Sequence, residues 1–134
     1  MNSKKIFISG KIGTYDINAV SEETIKKFAE AEMYLRKTYP DCQVFNPLEF
    51  AEHIAGNDVW LEGISIPFEC LSTPFENLTL KQRTRYLKNE NIRVLTESTA
   101  IYLLTDWRSS AGALFEKEVA DFLGLEIIYQ KEKQ

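Results

Sequence analysis

The amino-acid sequence predicts an α/β fold of three layers, in which a parallel sheet is covered by helices on both faces. Apolar stretches rich in β-branched or aromatic residues alternate along the chain with stretches of helical periodicity. The β-prone stretches are apolar almost throughout, as strands buried on both faces are. Near the end of the chain, residues 101–104 and 125–129 flank a helical stretch at 111–123. That spacing suits a crossover between parallel strands.

Length and composition indicate one globular domain over residues 1–134. The chain is 44% hydrophobic and 27% charged, which is ordinary for a folded protein, and it can bury roughly two-thirds of its unfolded surface. A formal net charge of −4 argues against binding of nucleic acid along its phosphates. With no signal peptide and no apolar run of about 18 residues, we expect a soluble, cytoplasmic protein that does not enter a membrane.

Cysteine and histidine are too sparse for the common metal-binding motifs. The two cysteines, Cys42 and Cys70, are far apart, and His53 is the one histidine. We therefore expect that the protein uses neither a metal ion nor a cofactor.

The first strand is predicted at residues 5–9 and opens into a loop that contains Gly10 and Gly13. Glycine permits tight turns and the close approach of a ligand to the backbone. The spacing fits neither the dinucleotide-binding motif nor the P-loop, so neither assignment holds. Lys11, between the two glycines, either supplies a positive charge at the end of the strand or is a solvated lysine.

A helix of about 17 residues is predicted next, with Ser21 as its N-cap and its end before Tyr39. A short second strand follows at residues 43–45 and is closed by Asn46 and Pro47. The apolar stripe of the helix is predicted at Ile25, Phe28, Ala29 and Leu35.

Residues 51–79 show no sustained period and are predicted to form an irregular excursion with a short helix or two. Long excursions from a compact domain are often lids or interfaces; the alternative is a decoration with no part in any chemistry. The helical pattern returns at residues 80–97 and leads into the strand at 101–104. A polar turn then precedes the last helix and the last strand.

One acidic residue of the last helix, Glu116, is the strongest candidate for a functional group. If Ser110 caps the helix, a capping-box acid would stand where Ala113 is, so Glu116 lies one turn too deep for that role. At about 100° per residue, Glu116 falls on the apolar face with Ala113 and Ala120. A carboxylate there is costly unless it is paired or used. The alternative is an edge glutamate that reaches solvent or an arginine.

The predicted topology gathers three loops at one edge of the sheet. In open parallel sheets, ligands bind outside the carboxyl ends of the strands, where the strand order reverses. The loops expected there are residues 9–15, 46–48 and 105–112, and Glu116 lies one turn into the helix that follows the last of them. Asp106 is a second candidate carboxylate, although an acid in such a turn usually caps local backbone groups.

Two segments of the chain, KIFISGKI and IYLLTDWRSSAGALFEKEVADFLGLEIIY, together resemble the DUF4406 family of small phage and bacterial proteins. The specific part is the pattern formed by a tryptophan, Ser110, Gly112 and Glu116. DUF4406 in turn resembles the nucleoside 2-deoxyribosyltransferase superfamily, which includes the deoxynucleoside 5′-monophosphate N-glycosidases. The match covers the first ~50 and the last ~50 residues. It implies a flavodoxin-like Rossmann fold that cleaves N-glycosidic bonds.

The resemblance also implies roles for individual residues. Glu116 stands at the nucleophilic glutamate, and Ser110 matches the serine that contacts the 5′-phosphate in the monophosphate-specific branch. The first loop corresponds to the loop that lines the sugar–phosphate pocket. Either Trp107 or Tyr15 is expected to stack on the base; the alternative for Trp107 is simple packing at the end of a strand. The substrate-binding residues expected on this basis are Ser9, Gly10, Lys11, Gly13, Trp107, Ser110 and Gly112.

One position departs from the superfamily. Where an aspartate commonly orients the sugar or assists the leaving base, this chain has Asn91, with Glu90 beside it. An amide can form hydrogen bonds but cannot shuttle a proton at neutral pH. Three outcomes stay open: Glu90 substitutes as a catalytic acid, the chemistry is slow, or the site only binds.

Two function hypotheses follow. The first is a transferase or hydrolase that acts on the N-glycosidic bond of (deoxy)nucleosides or their 5′-monophosphates through Glu116. The alternative is a non-catalytic nucleotide-binding or sensing module on the same fold, which Asn91 favours; a structural protein that reuses the fold is a third hypothesis. The resemblance further implies a small-molecule nucleoside or nucleotide as ligand and a homo-oligomeric assembly.

Overall fold

A computed structural model describes residues 4–14, 16–55 and 79–131 of the 134-residue chain. Within these residues, strands and helices alternate as the sequence predicts. Tyr15 and Cys70 lie outside the described residues, and so does the side chain of His53. The elements in chain order are β1 Lys4–Ser9, α1 Glu22–Thr38, β2 Cys42–Phe45, α2 Pro47–Ala55, α3 Leu80–Thr96, β3 Ala100–Leu103, α4 Ala111–Leu123 and β4 Glu126–Tyr129.

The strands of the described residues form one parallel sheet in the order β2–β1–β3–β4. Phe7 of β1 pairs with Phe45 of β2 on one side and with Ile101 of β3 on the other. The chain passes from β1 to β2 and then crosses back over β1 to β3, so the strand order reverses between β1 and β3. This topology confirms the predicted flavodoxin-like α/β fold and puts the expected ligand site at the carboxyl ends of these two strands.

Each face of the sheet has its own apolar core. Phe7 and Ile101 pack on the face that is covered by α2, α3 and α4, whereas Ile8 and Tyr102 pack on the face that is covered by α1. Successive side chains of a strand point to opposite faces, so Ser9 lies on the same side as Phe7. The last residue of β1 therefore faces the layer that contains α4.

Side-chain caps fix where the helices begin. Ser21 and Ser110 each accept a hydrogen bond from the backbone N–H three residues on, as predicted. Thr79 and Gln82 form a capping box at the start of α3. Helix α4 ends at Gly124, whose φ of 76° lies in the left-handed region that glycine adopts without strain.

The buried face of α1 differs from the predicted stripe. Phe28, Ala31 and Leu35 are buried, whereas Ile25 is 41% exposed and Ala29 is also exposed. Ala29 follows Phe28 by one residue and is therefore rotated about 100° from it, away from the sheet. Ala31, three residues after Phe28, takes its place in the core.

The segment predicted as an irregular excursion with a short helix or two begins with helical residues. Residues 51–55 continue α2, which begins at Pro47. Asn46 Oδ1 accepts the backbone N–H of Leu48 at 3.0 Å, and proline suits the first helical position because its missing N–H would have no partner there. Asn46 and Pro47 thus end β2 and also begin a helix. The rest of the excursion, residues 56–78, lies outside the described residues, so the choice between lid and decoration stays open.

Candidate active site

A cavity of about 250 Å³ opens at the carboxyl edge of the sheet, between the end of β1 and the first turn of α4. Its volume lies slightly below the usual range for small-molecule pockets. Residues 9–14 form one wall and residues 109–113 form another. The remaining lining residues are Ile8, Pro47, Asn91 and Glu116.

Glu116 lines this cavity from the sheet-facing side of α4. Ser9 Oγ donates a hydrogen bond of 2.6 Å to Glu116 Oε1. Burial raises the pKa of Glu116 to about 7, while the Ser9 hydrogen bond acts in the opposite direction and has the smaller effect. Glu116 is therefore a carboxyl group that is partly ionised at neutral pH, and its second oxygen, Oε2, takes no hydrogen bond from Ser9.

Ser9, which was predicted to bind substrate, lines the cavity and holds the Glu116 carboxyl group. Its side chain is almost fully buried, at 1% exposed. A hydroxyl has one hydrogen to donate, and that hydrogen is used in the bond to Glu116. Ser9 therefore orients the carboxyl group.

The first loop closely approaches Leu104, the residue that follows β3, at Gly10. A Cβ atom on Gly10 would stand 2.6 Å from Cδ1 and 2.9 Å from Cβ of Leu104. Leu104 Cβ cannot swing away, because the Leu104 backbone N–H is bonded to the Ser9 carbonyl oxygen at 2.9 Å. Gly13 has a φ of 90°, which side-chain-bearing residues rarely adopt. The two predicted loop glycines thus have distinct backbone reasons to be glycine.

The first turn of α4 supplies hydrogen-bond donors at the other wall. Ser110 Oγ accepts the N–H of Ala113 at 3.2 Å, whereas the N–H groups of Ala111 and Gly112 have no partner among the described residues. A helix N-terminus of this kind favours an anionic group. Lys11, which is exposed and lines the cavity, adds a positive charge.

Asn91 and Glu90 are neighbours in α3 with different surroundings. Asn91 lines the cavity and is 5% exposed, and its Oδ1 has no hydrogen-bond partner in the described part of the chain. Glu90 is not one of the lining residues; it is buried, and Arg93 bonds its carboxylate at 2.8 Å. A buried amide oxygen without a partner is unfavourable, and this oxygen belongs to a residue that lines the cavity. Glu90 is instead held in an ion pair within its own helix.

Trp107 packs beside the core and is not one of the lining residues of the cavity. Its ring lies 6.1 Å from the ring of Tyr129. The Arg108 guanidinium and the Lys117 ammonium lie over the Trp107 ring at 5.3 Å and 5.8 Å. These contacts favour the second interpretation of Trp107, simple packing at the end of a strand.

Sequence reasoning missed some of the cavity. Pro47 and Ser109 line it, and both belong to loops that were expected at this edge, so their position in the chain was an available signal. The hydrogen bond between Ser9 and Glu116 had no such signal. These residues are 107 positions apart and meet because α4 packs on the face of the sheet to which Ser9 points.

Comparison with known proteins identifies the family. The family described as a domain of unknown function, DUF4406, matches residues 4–129. The chain belongs to the DUF4406 family. Comparison with curated proteins and with solved structures found no significant match. The resemblance seen in the sequence is thereby confirmed for DUF4406, whose description assigns no activity.

Two further observations concern the described residues of this DUF4406 chain. No helix among them is long and apolar enough to cross a membrane. No three histidine, cysteine, aspartate or glutamate side chains in residues 4–14, 16–55 and 79–131 are grouped so that they could hold a metal ion. That no metal ion or cofactor takes part stays a prediction.

Proposed function

We propose that this DUF4406 protein cleaves or transfers the N-glycosidic bond of (deoxy)nucleosides or of their 5′-monophosphates, with Glu116 as nucleophile. The observation that carries the proposal is the position of the Glu116 carboxyl group, which lines a cavity at the carboxyl edge of the sheet and is held there by Ser9. The resemblance to the nucleoside 2-deoxyribosyltransferase superfamily supports the same residue, because that superfamily has a nucleophilic glutamate at this position.

In the proposed reaction, Glu116 Oε2 attacks the anomeric carbon of the sugar from the side opposite the base. The bond between that carbon and the base nitrogen breaks, and its electron pair leaves with the base, which takes a proton from solvent. A covalent ester between the sugar and Glu116 forms through an oxocarbenium-like transition state. Water or a second base then attacks the same carbon, loses a proton and releases the carboxylate.

The ionisation of Glu116 sets how much nucleophile is present. A carboxyl group with a pKa of about 7 is ionised in about half of the molecules at neutral pH. The Ser9 hydrogen bond holds Oε1 in a fixed direction and leaves Oε2 for the sugar. Positive charge that develops on the sugar is stabilised by the adjacent carboxylate, so the transition state favours the ionised form.

Two features of the cavity support binding of a monophosphate. The N–H groups of Ala111 and Gly112, which have no partner within the described part of the chain, suit a phosphate, and the side chain of Lys11 adds positive charge at the other wall. Ser110, the serine that the resemblance assigns to the phosphate, lies in the same turn of α4. A phosphate at this turn would lie about one helical turn from Glu116.

The experiment that tests the proposal measures release of free base. The protein is incubated with a panel of deoxynucleosides and deoxynucleoside 5′-monophosphates, and the products are separated by chromatography. We expect base release from at least one compound at about ten times the rate in buffer or more. Addition of a second base distinguishes transfer, which yields a new nucleoside, from hydrolysis. No release from any compound in the panel would contradict the proposal.

The alternative, a nucleotide-binding module without turnover, is favoured by one observation. Glu116 is the one carboxylate among the described residues that line the cavity, and the resemblance matches Asn91 to a position where the superfamily commonly has an aspartate. Glycosidases usually use a pair of carboxyl groups. The same panel tests this function, because ligand-dependent thermal stabilisation without base release indicates a binder.

We also infer that the protein is a homo-oligomer, as the resemblance implies. Phe115 and Phe122 lie on the outer side of α4 and are 54% and 88% exposed. They are seven residues apart and so share one face of the helix, next to the face that carries Glu116. A second copy packed there would lie close to the cavity. We expect light scattering to give a dimer or larger for the wild type and a smaller species for Phe122→Ser; a monomeric wild type would contradict this.

A further inference from the structure

Asp106 and Lys27 hold the first loop of the cavity from two sides. Asp106 Oδ1 accepts the backbone N–H of Lys11 at 3.0 Å. Lys27 Nζ, which comes from α1, donates to the carbonyl oxygen of Lys11 at 2.9 Å and forms an ion pair with Asp106 Oδ2. Both polar groups of the Lys11 backbone are therefore bonded to side chains from other parts of the chain.

Asp106 is also bonded to the opposite wall of the cavity. Its carbonyl oxygen accepts the Ser109 hydroxyl at 2.8 Å and the Ser109 backbone N–H at 3.1 Å. Lys11 and Ser109 both line the cavity, one on each wall. The Lys27–Asp106 pair thus links the two loops between which a ligand would lie.

The negative charge of Asp106 affects ligand binding because Asp106 lies beside the cavity wall. It is one hydrogen bond away from two lining residues, Lys11 and Ser109, and it shortly precedes the first turn of α4, which favours an anion. An unpaired carboxylate at this point would repel an anionic ligand. Lys27 cancels that charge. The two side chains are 28% and 31% exposed, so water weakens the electrostatic effect without removing it.

We propose that Lys27 and Asp106 are positioning residues that fix the Lys11 backbone in the cavity wall and cancel one negative charge, so that the cavity prefers a phosphorylated nucleoside to the unphosphorylated one. The nucleoside part of this ligand rests on the proposed function. The preference for an anion rests on the ion pair and on the hydrogen bonds that surround it.

The first measurement needs no ligand. Amide hydrogen exchange at Lys11 is followed by NMR in the wild type, in Lys27→Met, in Asp106→Ala, which removes the acceptor of the Lys11 N–H, and in the control Lys26→Met. Lys26 precedes Lys27, is 77% exposed and contacts only Glu30 at 4.0 Å among the ion pairs of the described residues. We expect Lys11 exchange to become about tenfold faster in both variants of the pair and to stay unchanged in the control. Unchanged exchange in both variants would overturn the positioning role.

The second measurement separates charge from structure. Dissociation constants for a deoxynucleoside 5′-monophosphate and for its nucleoside are measured by calorimetry. Lys27→Met is expected to weaken monophosphate binding about tenfold and nucleoside binding by less than about twofold. The double variant Lys27→Met/Asp106→Ala removes both charges of the pair, so the ratio of the two constants should return to about the wild-type ratio. Lys11 exchange should stay fast in the double variant.

The outcomes distinguish this inference from the proposed function. Equal weakening of both ligands by Lys27→Met, or no recovery of the ratio in the double variant, would mean that the pair is merely structural. A wild type that binds the monophosphate no more tightly than the nucleoside would overturn the anion preference. If no base is released but the ratio shifts as described, the proposed function fails and this inference stands.

Discussion

Replacement of Glu116 by glutamine is expected to reduce base release by at least about a thousandfold. The amide has the size and shape of the carboxyl group, and its oxygen can still accept the hydrogen bond that Ser9 Oγ donates at 2.6 Å in the wild type. It carries no negative charge and does not form an ester with a sugar. The cavity should therefore keep its shape and lose its nucleophile.

The matched control is Glu118→Gln, a change of the same chemistry two residues further along α4. Glu118 is exposed and is not a lining residue of the cavity. The Glu118→Gln variant should therefore release base at a rate within about twofold of the wild type. Initial rates over a range of substrate concentrations give kcat and KM for each protein. A Glu116→Gln variant that retains more than about a tenth of the wild-type kcat would remove Glu116 from the chemistry.

The fold could be predicted from the sequence because its signals are local or periodic. Apolar runs in alternation with helical periods predict a parallel sheet, and such a sheet has its ligand edge at the carboxyl ends of its strands. Ser21 and Ser110 mark helix starts by their own chemistry, and both helices begin where these caps predict. The loops at the site follow from the topology and required no knowledge of side-chain contacts.

The contacts inside the site could not be predicted in the same way. The Ser9–Glu116 hydrogen bond joins residues 107 positions apart, and the contact between Lys11 and Asp106 spans 95 positions. A sequence pattern shows which face of a helix is apolar but not which neighbour that face meets. Asp106 illustrates the difference: an acid in a turn predicted a local cap, and the backbone N–H that it caps belongs to another loop.

Glu116 should also make the protein less stable as the pH rises from about 5 to 8. The pKa of Glu116 in the folded protein is about 7, above its ordinary value of 4.5, because burial disfavours the charged form. Between these two values the folded protein holds a proton that the unfolded chain has lost. The free energy of unfolding therefore falls as the pH rises through this range and levels off above it.

The expected size of this loss is at most about 3 kcal/mol, and water in the cavity reduces it. Urea denaturation of the wild type and of Glu116→Gln at pH 5, 6, 7 and 8 measures it as the difference between the two proteins. Burial opposes the ionisation of Glu32, but hydrogen bonds, the largest of them with Arg36, lower the pKa of Glu32 overall. Protonation of Glu32 at acid pH destabilises both proteins equally and cancels in the difference. Parallel curves would show that Glu116 has an ordinary pKa. A falling wild-type curve beside a flat variant would measure how much folding stability the protein loses by holding an ionised carboxylate in this cavity.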